Sequence, residues 1–258
     1  MIPSAHIAAW RTHHPWPSPD QVEQDLLLSW AICAIAEHPY LRDELVFRGG
    51  TALHKLHLPR PCRYSEDLDY VRSTASGIGP VFDALKDIGR ELGFKVQSIV
   101  QEHPKVLWRT ESEHGDRLRL KIELNTHERS PALPLLRLPF KVESSWWSGS
   151  ANVLTFQPSE LMATKLRALY QRSKGRDLFD LWLALTATGL DPQAVLRAFG
   201  PYRPVGYTAK SAIANLEEKL TNKTFRTDID LLLAERPVNY NPDDAAALVI
   251  EVLLSKVL

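Results

Sequence analysis

The most regular alternation of apolar and polar residues runs from residue 117 to residue 125. Apolar side chains occupy every second position from Leu118 to Leu124, and polar side chains fill the positions between them. A period of two predicts a half-buried strand, with Glu123 on its polar face. Residues 45–47 (Leu-Val-Phe) form a short apolar run that ends at two glycines, and this run predicts a buried strand.

A helix is predicted before these strands. Ser18, Pro19 and Gln21 match the signal for a helix start, with Ser18 as N-cap, Pro19 at the first helical position and Gln21 completing a capping box. We expect this helix to end near Glu37. Residues 26–35 are apolar on nearly all sides, so the helix should pack deeply.

The remaining patterns divide the chain into two halves. Residues 80–92 predict a helix, and strands are expected near 94–100 and 105–112. Residues 130–147 are rich in proline and then in aromatic residues, and we interpret them as a crossing loop with one or two short strands. From Pro158 onward the patterns are nearly all helical. We therefore predict an α/β (α+β) fold, with an α/β domain over residues 1–150 and a helical domain over residues 151–258.

Composition narrows the class of protein. The chain has 258 residues, 44% of them hydrophobic, and a formal net charge of zero, which argues against a function dominated by nonspecific nucleic-acid binding. No apolar run approaches the ~20 residues needed to cross a bilayer, and the first residues lack the apolar core of a secretion signal. We expect a cytoplasmic protein without membrane contact, whose two cysteines are reduced.

A glycine pair follows the predicted strand at residues 45–47. Gly49 and Gly50 allow the backbone to turn sharply and to approach a ligand closely, and the residues from Thr51 onward favour a helix. The first amides of such a helix, together with its dipole, favour phosphate. The alternative interpretation is a tight turn that binds no ligand.

Two aspartates come shortly after this turn. Asp67 and Asp69 are separated by Leu68, so in a strand both carboxylates would lie on one face while Leu68 enters the core. Two carboxylates at that spacing repel each other, and a bound Mg²⁺ relieves the repulsion because it takes carboxylate and phosphate oxygens as ligands. The alternative is a solvated strand end with two surface acids.

Glu123 is a candidate third acid on a neighbouring strand. Two acids on one strand and one on another suit two-metal phosphoryl chemistry, in which the metals activate the attacking hydroxyl and stabilise charge on the phosphorus. Glu123 is then either a metal ligand or the base that accepts the hydroxyl proton. Asp67, Asp69 and Glu123 are the predicted ligands of Mg²⁺, with Mn²⁺ as an alternative.

These motifs, in this order, resemble a known family. The order is Gly49-Gly50-Thr51, then Arg63-Tyr64-Ser65-Glu66-Asp67-Leu68-Asp69, then Lys121 to Asn125, and finally Lys165 with the segment Arg172 to Leu181. Together they resemble the nucleotidyltransferase fold of the DNA polymerase β-like superfamily. More narrowly, they resemble the AbiEii/AbiGii-type toxins of type IV toxin–antitoxin and abortive-infection systems, including MenT-like relatives.

The resemblance implies a fold, a reaction and partners. It implies a nucleotidyltransferase domain with a mixed sheet, and a helical domain that completes the nucleotide cleft. Such enzymes (EC 2.7.7-type) transfer a nucleoside monophosphate from an NTP and release pyrophosphate. The mycobacterial relatives modify the 3′ end of tRNA and thereby stop translation. An RNA acceptor, the tRNA 3′ end, and a cognate antitoxin are therefore the expected partners.

The resemblance also implies roles for residues of the helical half. Lys165 and Asp177 join the acids as expected catalytic residues. Lys165 and Arg167 are expected to bind the triphosphate. Asp177 either pairs with Arg176 to orient Lys165 or contacts the nucleotide, and Asp180 could instead form a cap or a local pair. In the first half of the chain, the Ser65 hydroxyl either bonds the γ-phosphate or closes the turn in which Ser65 lies.

Two basic stretches are candidate RNA-binding surfaces. The alternative for each is an ordinary solvated face. The first stretch comprises Lys165, Arg167, Arg172, Lys174 and Arg176, and the second comprises Arg117, Arg119 and Lys121.

Three function classes follow from these observations. The first is a nucleotidyltransferase toxin that acts on tRNA. The second is a nucleotidyltransferase that modifies a protein or a small molecule. The third is an inactive binding module, which the presence of three mutually repelling carboxylates argues against.

Overall fold

The computed structural model describes residues 2–257. They form two compact units: one contains the chain up to Pro131 together with Leu135–Phe156, and the other contains Ala132–Pro134 together with the chain from Gln157 onward. No helix within the described residues is long and apolar enough to cross a membrane.

The first unit is built on a seven-stranded sheet. The strands are β1 (Leu45–Arg48), β2 (Asp67–Arg72), β3 (Lys95–Ile99), β4 (Lys105–Glu111), β5 (Arg117–Asn125), β6 (Leu136–Glu143) and β7 (Ser148–Thr155). Their order in the sheet is β3-β4-β5-β2-β1-β7-β6. The pairs β2–β5 and β1–β7 are parallel and the other pairs are antiparallel. The predicted mixed sheet is thereby confirmed.

The helices of this unit follow from local sequence signals. They are α1 (Ser4–Arg11), α2 (Pro19–Glu37), α3 (Leu41–Glu44), α4 (Gly49–Ala52) and α5 (Gly79–Glu91). The predicted capping box of α2 is confirmed, because Ser18 Oγ accepts a hydrogen bond from Gln21 N and Gln21 Oε1 accepts one from Ser18 N. α2 buries residues on nearly all sides and packs against β7 and β5.

Helix α5 covers one face of the sheet. A Cβ atom at Gly89 would lie 2.6 Å from Trp108 Nε1 and 2.7 Å from a methyl group of Val96, so α5 is in close contact with β3 and β4. Because side chains alternate along a strand, neighbours such as Arg109 and Lys95 lie on the opposite face. That opposite face also carries the polar side chains of β5.

Two segments differ from the sequence-based expectation. Residues 136–155 form a hairpin of two eight-residue strands, β6 and β7, instead of a crossing loop with short strands. Pro139 interrupts the strand pattern of β6, but β6 is the edge strand, and a proline is tolerated there because one side of the strand needs no N–H donor. The helix after the glycine turn begins at Gly49 and continues as a π-helix (Leu53–His57), whereas we expected a regular helix from Thr51.

The second unit is helical, as predicted. Its α-helices are α6 (Pro158–Gln171), α7 (Gly175–Ala187), α8 (Pro192–Phe199), α9 (Ala209–Leu220), α10 (Lys223–Thr227) and α11 (Pro242–Val252), with short 3-10 turns at Gly200–Tyr202 and Leu254–Lys256. Helix α6 packs against α7 and α8, and α7 packs against α11.

Candidate active site

Three acids lie on one face of two neighbouring parallel strands. Asp67 and Asp69 belong to β2, with Leu68 fully buried between them. Glu123 on β5 is in register with Asp69. Because adjacent strands are about 4.8 Å apart, the parallel pairing brings the three carboxylates into one cluster. We call Asp67, Asp69 and Glu123 the acidic cluster.

The glycine turn lies directly against the acidic cluster. Gly49 has φ +81°, a conformation that favours glycine. A Cβ atom at this position would lie 2.1 Å from Asp69 Oδ2. Only a residue without a side chain allows the turn to lie this close to the carboxylate.

Gly50, Thr51 and Ser65 join the turn to strand β2. A Cβ atom at Gly50 would lie 2.4 Å from Arg63 Nη2 and 3.1 Å from Ser65 Oγ. The Thr51 hydroxyl donates to the backbone carbonyl oxygen of Asp67 over 2.5 Å and lies 2.9 Å from Ser65 Oγ. The structure therefore brings together the residues of the predicted phosphate loop and those of the acidic cluster.

Lys121 makes a contact that sequence reasoning did not predict. Its ammonium lies 2.9 Å from Asp67 Oδ2 and 2.9 Å from Glu123 Oε1. We had grouped Lys121 with Arg117 and Arg119 as a basic face, but its charge is used inside the acidic cluster. The alternation of β5 predicts that Lys121 and Glu123 share a face. The sequence does not reveal that Asp67 lies opposite Lys121 in the neighbouring strand.

The pKa values of this cluster reflect burial and mutual contact. Burial raises the pKa of Asp67 above its ordinary value, Glu66 and Glu123 add to the rise, and Lys121 opposes it. Burial alone would lower the pKa of Lys121, but its contacts with Asp67 and Glu123 raise it overall. Lys121 is therefore held as a cation between two carboxylates.

Arg48 is a further residue that the sequence analysis missed. It lies opposite Asp69 in the β1–β2 register, and its guanidinium pairs with Glu128. Glu128 is held in turn by Asn125, whose Nδ2 lies 3.0 Å from Glu128 Oε2. A cationic side chain thus lies on the same face as the acidic cluster, one strand away from Asp69.

A separate charged cluster is buried in the helical unit. Lys165 Nζ lies 3.0 Å from Asp177 Oδ1 and 2.8 Å from Asp180 Oδ2. Arg172 donates two hydrogen bonds to the Asp177 carboxylate, over 2.7 and 2.9 Å. Both aspartates are fully buried. Burial alone would raise the pKa of Asp177, but Lys165 and Arg172 outweigh it and lower the pKa.

This cluster answers part of what the sequence left open. Asp177 pairs with Lys165 and Arg172, whereas Arg176 pairs with Asp228. Of the two alternatives for Asp177, the pair with Arg176 is therefore wrong, because the two side chains leave α7 toward different partners. Asp180 pairs with Lys165 of the neighbouring helix α6, whereas we considered a cap or a local pair for it. The remaining cations of this stretch are also engaged, with Arg167 over the ring of Tyr202 and Lys174 3.8 Å from Asp228.

Comparison with known proteins gives this geometry a family. Residues 30–248 match the family described as nucleotidyl transferase AbiEii toxin, type IV TA system. The chain belongs to the AbiEii nucleotidyltransferase toxin family. It is thus a nucleotidyltransferase toxin of a type IV toxin–antitoxin system, and membership implies an NTP substrate and an antitoxin. The family expected from the sequence motifs is confirmed.

One solved structure shares this fold. The chain is similar to MenT4, a nucleotidyltransferase toxin from Mycobacterium tuberculosis, with 19% identity and a TM-score of 0.62 over 97% of this chain and 89% of that chain. An antigenic nucleotidyltransferase-like protein from Paracoccidioides brasiliensis is 15% identical, with a TM-score of 0.40 over 88% of this chain and 99% of that chain. No curated protein sequence matches the chain.

The acidic cluster of this AbiEii-family protein suits a divalent ion that is shared with a substrate. Among residues 2–257, no group of three or more His, Cys, Asp and Glu side chains is arranged to hold a metal ion by itself. Mg²⁺ commonly uses one or two carboxylates and completes its shell with substrate phosphates and water. The Lys121 ammonium between Asp67 and Glu123 shows that this position favours positive charge. The residues therefore fit Mg²⁺ bound together with NTP.

Removal of Lys121 should strengthen the effect of a divalent ion on stability. In Lys121→Met the carboxylates of Asp67 and Glu123 lose their shared cation. The free energy of unfolding in chelator should therefore fall. We expect a loss of only on the order of 1 kcal/mol, because solvent screens partly exposed pairs such as these. Mn²⁺ should then raise the melting temperature more in this variant than in the wild type, since binding stabilises only the folded state.

Thermal unfolding with and without Mn²⁺ measures this difference. Lys141→Met is the matched control, because Lys141 pairs with Glu143 on the exposed edge strand. Equal Mn²⁺ shifts in the wild type and Lys121→Met would contradict the assignment of the cation site.

Gly49→Ala should impair catalysis more than stability. The new methyl group would displace the Asp69 carboxylate, and misplacement of a reacting group by about 1 Å can reduce the rate about 10²-fold. The positive φ adds a cost of about 1–2 kcal/mol. Gly115→Ala is the control, because Gly115 has φ +86° and open space around its Cβ position. If nucleotide transfer falls equally in both variants, backbone strain alone explains the effect and displacement of Asp69 does not.

Proposed function

We propose that this AbiEii-family toxin transfers a nucleoside monophosphate from an NTP to the 3′ end of tRNA in a Mg²⁺-dependent reaction, with Mn²⁺ as a substitute. Pyrophosphate is the second product. The modified tRNA 3′ end can no longer accept an amino acid, so translation in the cytoplasm stops. A cognate antitoxin restrains the activity.

One observation carries the proposed chemistry. Asp67, Asp69 and Glu123 lie on one face of two parallel strands, with Gly49 in contact with Asp69. A triphosphate at the glycine turn would have its phosphates beside these three carboxylates. When bound there, Mg²⁺ supplies the positive charge that stabilises the transferring phosphoryl group and lowers the pKa of the attacking hydroxyl.

The residues of the chain supply binding, orientation and proton transfer. Gly49, Gly50 and Thr51 bring backbone N–H groups to the triphosphate, and the Ser65 hydroxyl is available to a phosphate oxygen. Asp67 and Asp69 would hold the ion. Glu123 either shares this role or accepts the proton of the incoming hydroxyl. Its carboxylate is partly exposed, so a hydroxyl that arrives from solvent can contact it.

Lys165, Arg167 and Asp177 enter the proposal through their motif positions. The family order of motifs assigns Lys165 and Arg167 to the triphosphate and makes Asp177 a partner in catalysis. The hydrogen bond from Lys165 to Asp177 supports a joint role of these two residues. The division into a domain of residues 1–150 and a helical domain that completes the nucleotide cleft belongs to the same proposal.

The proposed acceptor is tested by label transfer. Purified protein is incubated with total tRNA, Mg²⁺ and each NTP in turn, labelled at the α-phosphate, with Asp67→Ala as the control. We expect label on tRNA from one or two of the NTPs and none with the variant. Oxidation of the tRNA 3′ end with periodate removes the attacking hydroxyl and should abolish labelling.

The second candidate function predicts a different outcome of the same assay. A nucleotidyltransferase that modifies a protein or a small molecule would bind NTP and leave tRNA unlabelled. Label on periodate-oxidised tRNA would likewise contradict the 3′ end as acceptor.

A further inference from the structure

A row of basic side chains crosses three strands of the first unit. Lys95 on β3 is in register with Arg109 on β4, and Arg109 is in register with Arg119 on β5. Arg117 lies two residues before Arg119 on the same face. Neighbouring strands are about 4.8 Å apart, so the row presents positive charges at regular short intervals. We call Lys95, Arg109, Arg117 and Arg119 the basic row.

The basic row is not neutralised by ion pairs. No described carboxylate forms a salt bridge with any of its four side chains, and Arg109 donates to the neutral Gln97 Oε1 over 2.6 Å. Two cations of α5 in the same unit are paired, Lys86 with Asp83 and Arg90 with Asp87. In a chain of zero net charge, an aligned group of unpaired cations indicates an anionic partner.

The four side chains line an open groove. Its volume is about 800 Å³, and Gln24, Glu66, Thr110 and Glu111 contribute the other polar side chains of the lining. Four cations against two carboxylates leave the groove positive. Pockets for small molecules are mostly apolar, and this groove is not, so an extended anionic chain fits it better than a compact ligand.

The groove leads to the acidic cluster on the same face of the sheet. Arg117, Arg119, Lys121 and Glu123 alternate along β5 and share one face, so Arg119 lies roughly 7 Å along the strand from Lys121. A ligand held by the basic row therefore extends toward Asp67 and Glu123. Positioning an acceptor beside the reacting groups is a large source of rate enhancement.

We propose that the basic row binds the sugar–phosphate backbone of the RNA acceptor and directs its terminal hydroxyl toward the acidic cluster. This inference rests on the proposed function for the identity of the acceptor. Phosphate oxygens are the usual partners of Arg and Lys in nucleic-acid complexes, and such contacts fix position without reading sequence. The basic row consists of positioning residues, and the three acids perform the chemistry.

Salt-dependent tRNA binding tests the inference independently of transfer. In Arg109→Gln/Arg119→Gln two phosphate contacts are removed. Each contact contributes about 0.7–0.9 to the slope of log affinity against log salt, so we expect the slope to decrease by about 1.5. Affinity for tRNA should fall at least about tenfold at low salt, with NTP binding unchanged.

The matched control is Lys86→Gln/Arg90→Gln. It removes two positive charges from α5, which covers the opposite face of the sheet, and should leave tRNA binding as in the wild type. Lys95→Gln/Arg117→Gln replaces the other half of the basic row and should reproduce the loss of affinity. In transfer assays the KM for tRNA should rise in both row variants, while kcat at saturating tRNA changes little.

Three results would overturn the inference. The first is equal tRNA binding by the row and control variants. The second is a set of row variants that no longer bind an acidic protein but still bind tRNA as the wild type does. The third is a wild-type protein that does not bind tRNA. The proposed function is judged separately by label on tRNA, which can appear even when the row variants bind normally.

Discussion

Asp69→Asn and Asp67→Asn are each expected to reduce nucleotide transfer by at least about 10³-fold and to leave the protein folded. Each substitution keeps the shape of the side chain and removes one negative charge from the acidic cluster. A metal-assisted phosphoryl transfer depends on such charges for several kcal/mol of transition-state stabilisation, and each 1.36 kcal/mol is a factor of ten in rate. Single-turnover transfer from labelled NTP measures the loss.

The stability of the Asp67 variant separates a catalytic role from a structural one. The pKa of Asp67 is raised in the folded state, so its ionisation costs stability as the pH rises above the ordinary aspartate value. A neutral asparagine avoids this cost, and the melting temperature at neutral pH should not fall. Asp87→Asn is the control, because Asp87 is an exposed acid of α5 paired with Arg90. Transfer at the wild-type rate in one of the two cluster variants would exclude the replaced aspartate from catalysis.

Asp177→Asn is expected to destabilise the helical unit by about 3–5 kcal/mol. Asp177 is fully buried and receives hydrogen bonds from Lys165 and Arg172. Removal of one partner from a buried ionic cluster leaves uncompensated charge, which has a cost of this size. Urea denaturation followed by circular dichroism measures the change. Asp230→Asn, at an exposed pair with Arg236, should change the free energy of unfolding by less than about 1 kcal/mol.

The pH dependence of the same cluster follows from the pKa of Asp177. Because Lys165 and Arg172 lower it in the folded state against the effect of burial, its stabilising contribution is complete above the unfolded value of 3.8 and is lost as the pH falls through the lower, folded value. The wild type should therefore lose stability below about pH 4, and Asp177→Asn should lose less over that range. An unchanged free energy of unfolding together with lost transfer would make Asp177 catalytic without a structural role.

Local sequence signals predicted two elements next to or within the site and the long helix that precedes them. The alternation around Glu123, the apolar strand before Gly49 and the capping box at Ser18 each depend on a few neighbouring residues, and the structure has all three. The shared face of Asp67 and Asp69 also followed from the period of a single strand.

Features that depend on distant partners could not be predicted in this way. The parallel pairing of β2 with β5 places Lys121 opposite Asp67, and no local pattern encodes that register. The π-helix after Gly49 includes Lys55, which forms a buried ion pair with Asp25 of α2 over 2.9 Å. Such a long-range contact accompanies a local geometry that helix propensity alone does not favour.

Growth of cells that express the protein tests the central claim most directly, namely that toxicity arises from nucleotide transfer at the acidic cluster. Wild type and Asp69→Asn are induced to equal levels of folded protein, and growth and translation are followed. We predict arrest of both with the wild type and normal growth with Asp69→Asn. Equal arrest by the two proteins, or normal growth with folded wild type, would contradict the claim.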